Sequence, residues 1–128
     1  MALAETIRTF PGMNGEPHII EGKDLVGCTT SGAETGYLDT KDRGLVSVSI
    51  NLGALTGGTT PSVDFRVQHS QDAVKWYEHE AVGSSLTLAL PNASGSYLGL
   101  HRYVRVAWTT NGAPSAASAY VAITAKRR

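Results

Sequence analysis

Glu78 and Glu80 are the first residues whose type and spacing could do chemistry. Residues two apart on a strand point to the same side, and a glycosidase needs two carboxyl groups about 5 to 10 Å apart flanking a sugar. The same pattern is far commoner as a solvated strand face, and the segment is read that way. His69 and His79 offer metal chemistry instead: they could face each other across a hairpin with Asp72, Glu78 and Glu80 nearby. This spacing lacks the specificity of a zinc motif, so the histidines are read as surface or sheet-packed side chains. Cys28 is alone, which excludes an intrachain disulfide or a cysteine-based zinc site. Gly27-Cys28-Thr29-Thr30 brings no histidine to a nucleophile, and Cys28 is read as a small, half-buried residue. There is no Gly-x-Ser-x-Gly elbow and no His-Glu-x-x-His, and Gly57-Gly58 is not followed by Lys-Ser/Thr at phosphate-loop spacing. The chain is therefore read as a non-enzyme with no cofactor and no metal.

Aromatic side chains offer a second chemistry, stacking on sugars, with Trp76, Tyr77, Tyr97, Tyr103 and Trp108 as candidates. Trp108 alternates with Val104 and Val106 and is assigned to a core. Trp76 shares a face with Val74 and is assigned there too, which turns Tyr77 toward solvent or a partner. One outward aromatic is not a sugar platform. Asn92-Ala-Ser94 fits the glycosylation pattern but is read as part of a turn.

These residues need a scaffold, and the composition says which kind. The chain has 128 residues, 41% hydrophobic and 17% charged, with 11 basic residues balancing 11 acidic ones. That is one domain with few charges and a normal apolar content, which argues against disorder. A net charge of zero lacks the basic stripe that displaces counterions from phosphates, so no nucleic acid is expected as a partner. Neutrality also removes repulsion between copies and favours association. The balance is uneven, since Lys126, Arg127 and Arg128 end the chain and the residues before them carry a formal −3. No apolar run approaches the ~18 to 20 residues of a membrane span, and Met1 to Arg8 does not read as a secretion signal. No membrane partner is expected.

From Leu45 onward the sequence alternates. Val46, Val48, Ile50 and Leu52 alternate with Ser47, Ser49 and Asn51, the period of a half-buried strand. Val63, Phe65, Val67 and His69 form a second strand, and Val74 to His79 a third that pairs with it as a hairpin. Leu86, Leu88 and Leu90 predict a fourth strand closed by a Pro91–Gly95 loop, with a weak helical turn at Ser94–Gly99. Arg102 to Trp108 and Ala119 to Ala125 give the last two strands, separated by a loop that starts at Asn111-Gly112. Strands at this spacing predict an all-β fold, an antiparallel β-sandwich or jelly roll over residues 45–128.

Residues 1–44 differ. Pro11-Gly12, Asn14-Gly15, Pro17 and further glycines break the chain at short intervals, predicting an extended N-terminal arm with short strands at Ile19-Ile20 and Tyr37-Leu38. Two readings stay open: the arm adds strands to the sandwich, or it reaches onto a neighbouring molecule. In the second, Ile7, Phe10, Met13, Ile19 and Ile20 are the partner-binding residues, because apolar residues among breakers cannot build their own core. Tyr77 is a further candidate contact. The terminal Arg127 and Arg128 are candidates for docking on an acidic surface, beside the reading of a solvated tail.

Three stretches resemble small β-sandwich proteins of tailed-bacteriophage virions. They are Leu55 to Trp76, Arg102-Tyr-Val-Arg-Val-Ala-Trp-Thr-Thr110, and the closing Ala119-Tyr-Val-Ala-Ile-Thr-Ala-Lys126 strand. Ala73 stands where such proteins usually have glycine. The resemblance implies no catalytic residues. It implies a capsid decoration, or cement, protein of the virion surface, made in the host cytoplasm and stabilising the assembled shell. Its partners would be a major capsid protein of HK97-like fold and other copies of itself, as a dimer or trimer. The alternative is a tail or fibre-associated virion module, one that could bind glycans.

Overall fold

The alternation that marks the strongest strands in the sequence is the alternation of the core in the computed structural model, which describes residues 4–9, 18–34, 36–41 and 43–126. The described residues form ten strands and no helix. They are β1 (Ala4–Thr9), β2 (His18–Gly27), β3 (Gly32–Ala33), β4 (Leu38–Asp39), β5 (Leu45–Thr56), β6 (Ser62–Ser70), β7 (Tyr77–Leu86), β8 (Asn92–Leu98), β9 (Tyr103–Asn111) and β10 (Ala116–Lys126). All pairings are antiparallel. One sheet runs β1-β2-β10-β5-β8 and the other β3-β9-β6-β7, with β4 also on β9. The chain is an all-β antiparallel sandwich. Val46, Val48, Ile50 and Leu52 of β5 and Ala119, Val121, Ile123 and Ala125 of β10 are buried from the first sheet. Val63, Phe65 and Val67 of β6 and Val104, Val106 and Trp108 of β9 are buried from the second. Their polar neighbours point outward, which fixes the register because a one-residue slip would turn every apolar side chain into water.

The segment before residue 45 adds strands to both sheets. β2 pairs with β10 from Gly27 opposite Ser118 to Ile19 opposite Lys126, and β1 pairs with β2. β3 and β4 lie on β9. The boundary expected between residues 44 and 45 therefore has no counterpart in the strand pairing. The crossing between sheets is made at Cys28–Ser31. The Cys28 amide donates to the Ala117 carbonyl (3.0 Å), while the Trp108 indole donates to the Thr30 carbonyl (2.8 Å) and the Thr110 hydroxyl to that of Cys28 (2.7 Å).

Three expectations are corrected. The fourth strand does not run through Leu86–Leu90: Leu86 ends β7, and Thr87 and Leu90 exchange backbone hydrogen bonds (3.3 and 3.1 Å) around a two-residue tip. The strand lies instead at Asn92–Leu98, where a loop and helical turn were expected, and pairs with β5. Small residues are needed there, because a Cβ on Gly95 would collide with the Tyr97 hydroxyl. Val74 and Trp76 are not core. β7 begins only at Tyr77, Val74 is exposed, and Trp76 is half-buried beneath the Arg105 guanidinium (4.2 Å to the ring centre).

The turn from β6 to β7 is closed by side chains. Ser70 Oγ accepts from the Ala73 amide (2.9 Å), and Asp72 Oδ1 accepts from the amides of Val74 (2.9 Å) and Lys75 (3.0 Å). This wrapping forces Ala73 to φ 60°, a left-handed conformation that costs an L-residue about 1 to 2 kcal/mol. Ala73→Gly is expected to raise the unfolding free energy by about 1 kcal/mol, part of the relief being offset by the freer unfolded chain. A urea midpoint that falls would contradict this account of the turn.

Candidate functional site

The bulk of the outward apolar surface among the described residues gathers on β7 and its two connections. β7 is the last strand of its sheet, pairing with β6 on one side only. Its ladder is irregular, with three shifts of register along β6, and Tyr77 to Ala81 are all exposed. Val74 (77% exposed) and Tyr77 (53%) stand at its start, and Leu88 (53%) and Leu90 (72%) at the tip that follows it. Bulges and the charges of Glu78 and Glu80 discourage random edge-to-edge pairing, yet they leave these apolar side chains presented to solvent. Such a surface is suited to a partner.

Behind this edge lies a cluster of rings. His69 on β6 stacks on His101 of the β8–β9 connection, with ring centres 4.6 Å apart and planes 15° from parallel. His79 approaches His69 at 5.6 Å and Tyr97 at 5.4 Å, and Tyr77 lies 6.5 Å from His69 and 6.3 Å from His101. The structure therefore does bring His69 and His79 together. It adds His101, which the spacing alone did not single out because it lies 32 residues from His69. Among the described residues no three His, Cys, Asp or Glu side chains are grouped to hold a metal ion. The rings are tied differently: the His101 amide donates to His69 Nδ1 (2.9 Å), which makes that nitrogen an acceptor.

Glu78 is tied into a hydrogen-bond network. Glu78 accepts from Gln68 Nε2 (2.6 Å) and Arg66 Nε (2.9 Å). Burial favours its neutral form, but the bonds from Gln68 and Arg66 outweigh that and hold its pKa below the ordinary value. A carboxylate kept ionised in this way is unsuited to donating a proton to a leaving group. Gln68 in turn accepts from Arg105 Nε (2.8 Å), so Glu78 belongs to a surface network linking β6, β7 and β9. Cys28 is fully buried, and burial pushes its thiol up to about 11, which keeps it protonated and inert at neutral pH.

Of the expected partner-binding residues, Tyr77 is placed on the outward edge. Ile7 of β1 stands opposite Ile20 of β2, which stands opposite Ala125 of β10, while Ile19 stands opposite Arg8 and Lys126. These three isoleucines take part in building the first sheet. Phe10, Met13, Arg127 and Arg128 lie outside the described residues.

No family model matches the chain, and no curated protein matches it. Among solved structures, one described as Bacillus endospore appendages forming a novel family of disulfide-linked pili is similar to 96% of this chain and 100% of its own, at 15% identity and a TM-score of 0.40.

The ring cluster sets a pH dependence. Burial lowers the His69 pKa below its ordinary 6.5, and the neighbouring His101 and His79 lower it further. A base with a depressed folded pKa contributes its full stability above 6.5 and loses it as pH falls below that value toward the folded one. His69→Asn keeps an acceptor for the His101 amide and removes the titration. It is expected to flatten the fall in melting temperature between about pH 6.5 and 5. An unchanged slope would assign the effect to other groups.

Proposed function

We propose that this protein is a capsid decoration protein of a tailed bacteriophage, bound to the outside of an assembled shell of HK97-like coat protein and stabilising it. The observation that carries the reading is the β7 edge. An edge strand flanked by Val74, Tyr77, Leu88 and Leu90, on a sandwich of zero net charge, suits close packing against a large assembly and against further copies. The resemblance of residues 45–128 to virion sandwich proteins points the same way.

Stabilisation would work by mass action. A molecule that binds the assembled shell but not its separated subunits lowers the free energy of the shell by its own binding free energy. The β7 edge supplies the contact, and the segment carrying Phe10 and Met13 is assigned to a neighbouring subunit in the same reading.

Purified particles examined by electron microscopy are expected to show the chain over coat-protein capsomers. Tyr77→Asp and Leu90→Asp are each expected to weaken co-sedimentation with capsids by about tenfold or more while leaving the melting temperature within a few degrees, as exposed positions do. Density on the tail would replace this reading with that of a tail or fibre-associated module, and capsid binding unaffected by both substitutions would remove the β7 edge from it.

A further inference from the structure

We infer that the outer face of the first sheet carries a binding site for a neutral oligosaccharide, separate from the β7 edge. A groove of about 620 Å³ lies there, within the range of roughly 300 to 1,000 Å³ usual for small-molecule sites. Its lining comes from the middle of β5 and β10 and the start of β8, and among the described residues it contains no charged side chain.

The register builds the groove in two rungs. Asn92 of β8 stands opposite Asn51 of β5, which stands opposite Tyr120 of β10. On the next rung Ser94 stands opposite Ser49, which stands opposite Ala122. Outward residues of successive rungs are about 6.5 to 7 Å apart and neighbouring strands about 4.8 Å apart, so both amides, both hydroxyls and the ring lie within the span of a short oligosaccharide. The third rung is already occupied with itself, since Ser47 and Ser96 share a hydrogen bond (3.1 Å). By contrast, the side chains of Asn51, Asn92, Ser49 and Ser94 make no hydrogen bond to the described residues and are free to meet a ligand.

The chemistry selects the ligand class. Amide and hydroxyl groups both donate and accept, which matches sugar hydroxyls whatever way those are turned. Tyr120 is 59% exposed, and its ring lies beside Gly53, which brings no side chain to cover it: a Cβ there would sit 3.6 Å from Cε2. The open ring can stack on the C–H face of a pyranose while its hydroxyl reaches a substituent. Among the described side chains the lining brings no counter-charge to a phosphate or to a sulfated or sialylated sugar, Lys23 standing opposite Ala122 on the next strand. β5 is paired with β10 and β8, and β10 with β2 and β5, so along these two strands side chains alone are left for recognition, while β8 is the last strand of the sheet.

The test uses the isolated full-length chain and does not involve capsids, so its outcome is independent of the decoration reading. Short neutral oligosaccharides built on glucose, mannose, galactose and N-acetylglucosamine are titrated by NMR, with sialylated and sulfated ones as the charged arm. A neutral sugar is expected to shift the amide resonances of Asn51, Asn92 and Tyr120. Tyr120→Ala is expected to weaken that binding about tenfold, Tyr120→Trp to restore it, and Asn51→Ala to weaken it several-fold, all with unchanged circular dichroism. The inference is overturned if no neutral sugar produces these shifts, if only charged sugars bind, or if the shifts appear elsewhere and are insensitive to Tyr120.

Discussion

The last strand of the chain holds the first sheet together. β10 lies between β2 and β5, pairing with β5 over eleven positions and with β2 over nine. Ala119, Val121, Ile123 and Ala125 place its alternate side chains in the core with almost no exposure. Without β10, β5 keeps only β8, and β1 and β2 have no connection to the rest of that sheet. The sandwich therefore cannot close until residues near the carboxyl end meet residues 18–27 and 45–56. Pairings so distant in sequence carry a large loop-closure cost, and folding by this route is expected to be slow for the chain's size.

That central position also decides where the surface can interact. Interior strands such as β5 and β10 have no free backbone groups, so they offer only their outward side chains. Edge strands differ, and the second sheet handles its two sides unequally. β9 is covered on its outer side by the short pieces β3 and β4, anchored by the Thr40 amide and hydroxyl on the Arg102 carbonyl (2.8 and 2.6 Å) and by the Arg102–Asp39 ion pair (2.8 Å). β7 has no such cover. Its bulged ladder bends it away from simple pairing, and its apolar side chains stand at either end.

Much of this was legible in the sequence where one face of a strand is buried and the other wet. β5, β6, β9 and β10 announce themselves because Val, Ile, Phe and Trp alternate with Ser, Asp, Arg and Thr. β8 was missed for the opposite reason: its Asn-Ala-Ser-Gly-Ser run is built for close approach, with Gly83 against Ala93 and Gly95 beneath Tyr97, and small residues read as a loop. The Leu86-Leu88-Leu90 alternation misled because only Leu86 is buried, the other two lying on an exposed tip. Trp76 misled because its apolar surface is covered by Arg105 and by Tyr37 at 5.9 Å on the outside of the sheet, a cover no local pattern reports. Tyr77 was readable as outward. The rung of Asn92, Asn51 and Tyr120 was not, since it joins three strands whose polar faces look like ordinary solvated surface until the register sets them side by side.

The two surfaces follow from one rule about hydrogen-bond satisfaction. Where both neighbours of a strand are in place, recognition depends on side-chain chemistry, and the outer face at Asn51 and Tyr120 is polar, neutral and shaped by what is absent, as at Gly53. Where one neighbour is missing, the strand's own edge and the apolar residues around it need covering, and a chain of zero net charge raises no long-range barrier to a second protein that supplies the cover. A fold with its hub at β10 therefore keeps the polar outer face and the apolar-flanked edge on different sheets. Substitutions of outward side chains on one leave the buried alternation that holds the other untouched.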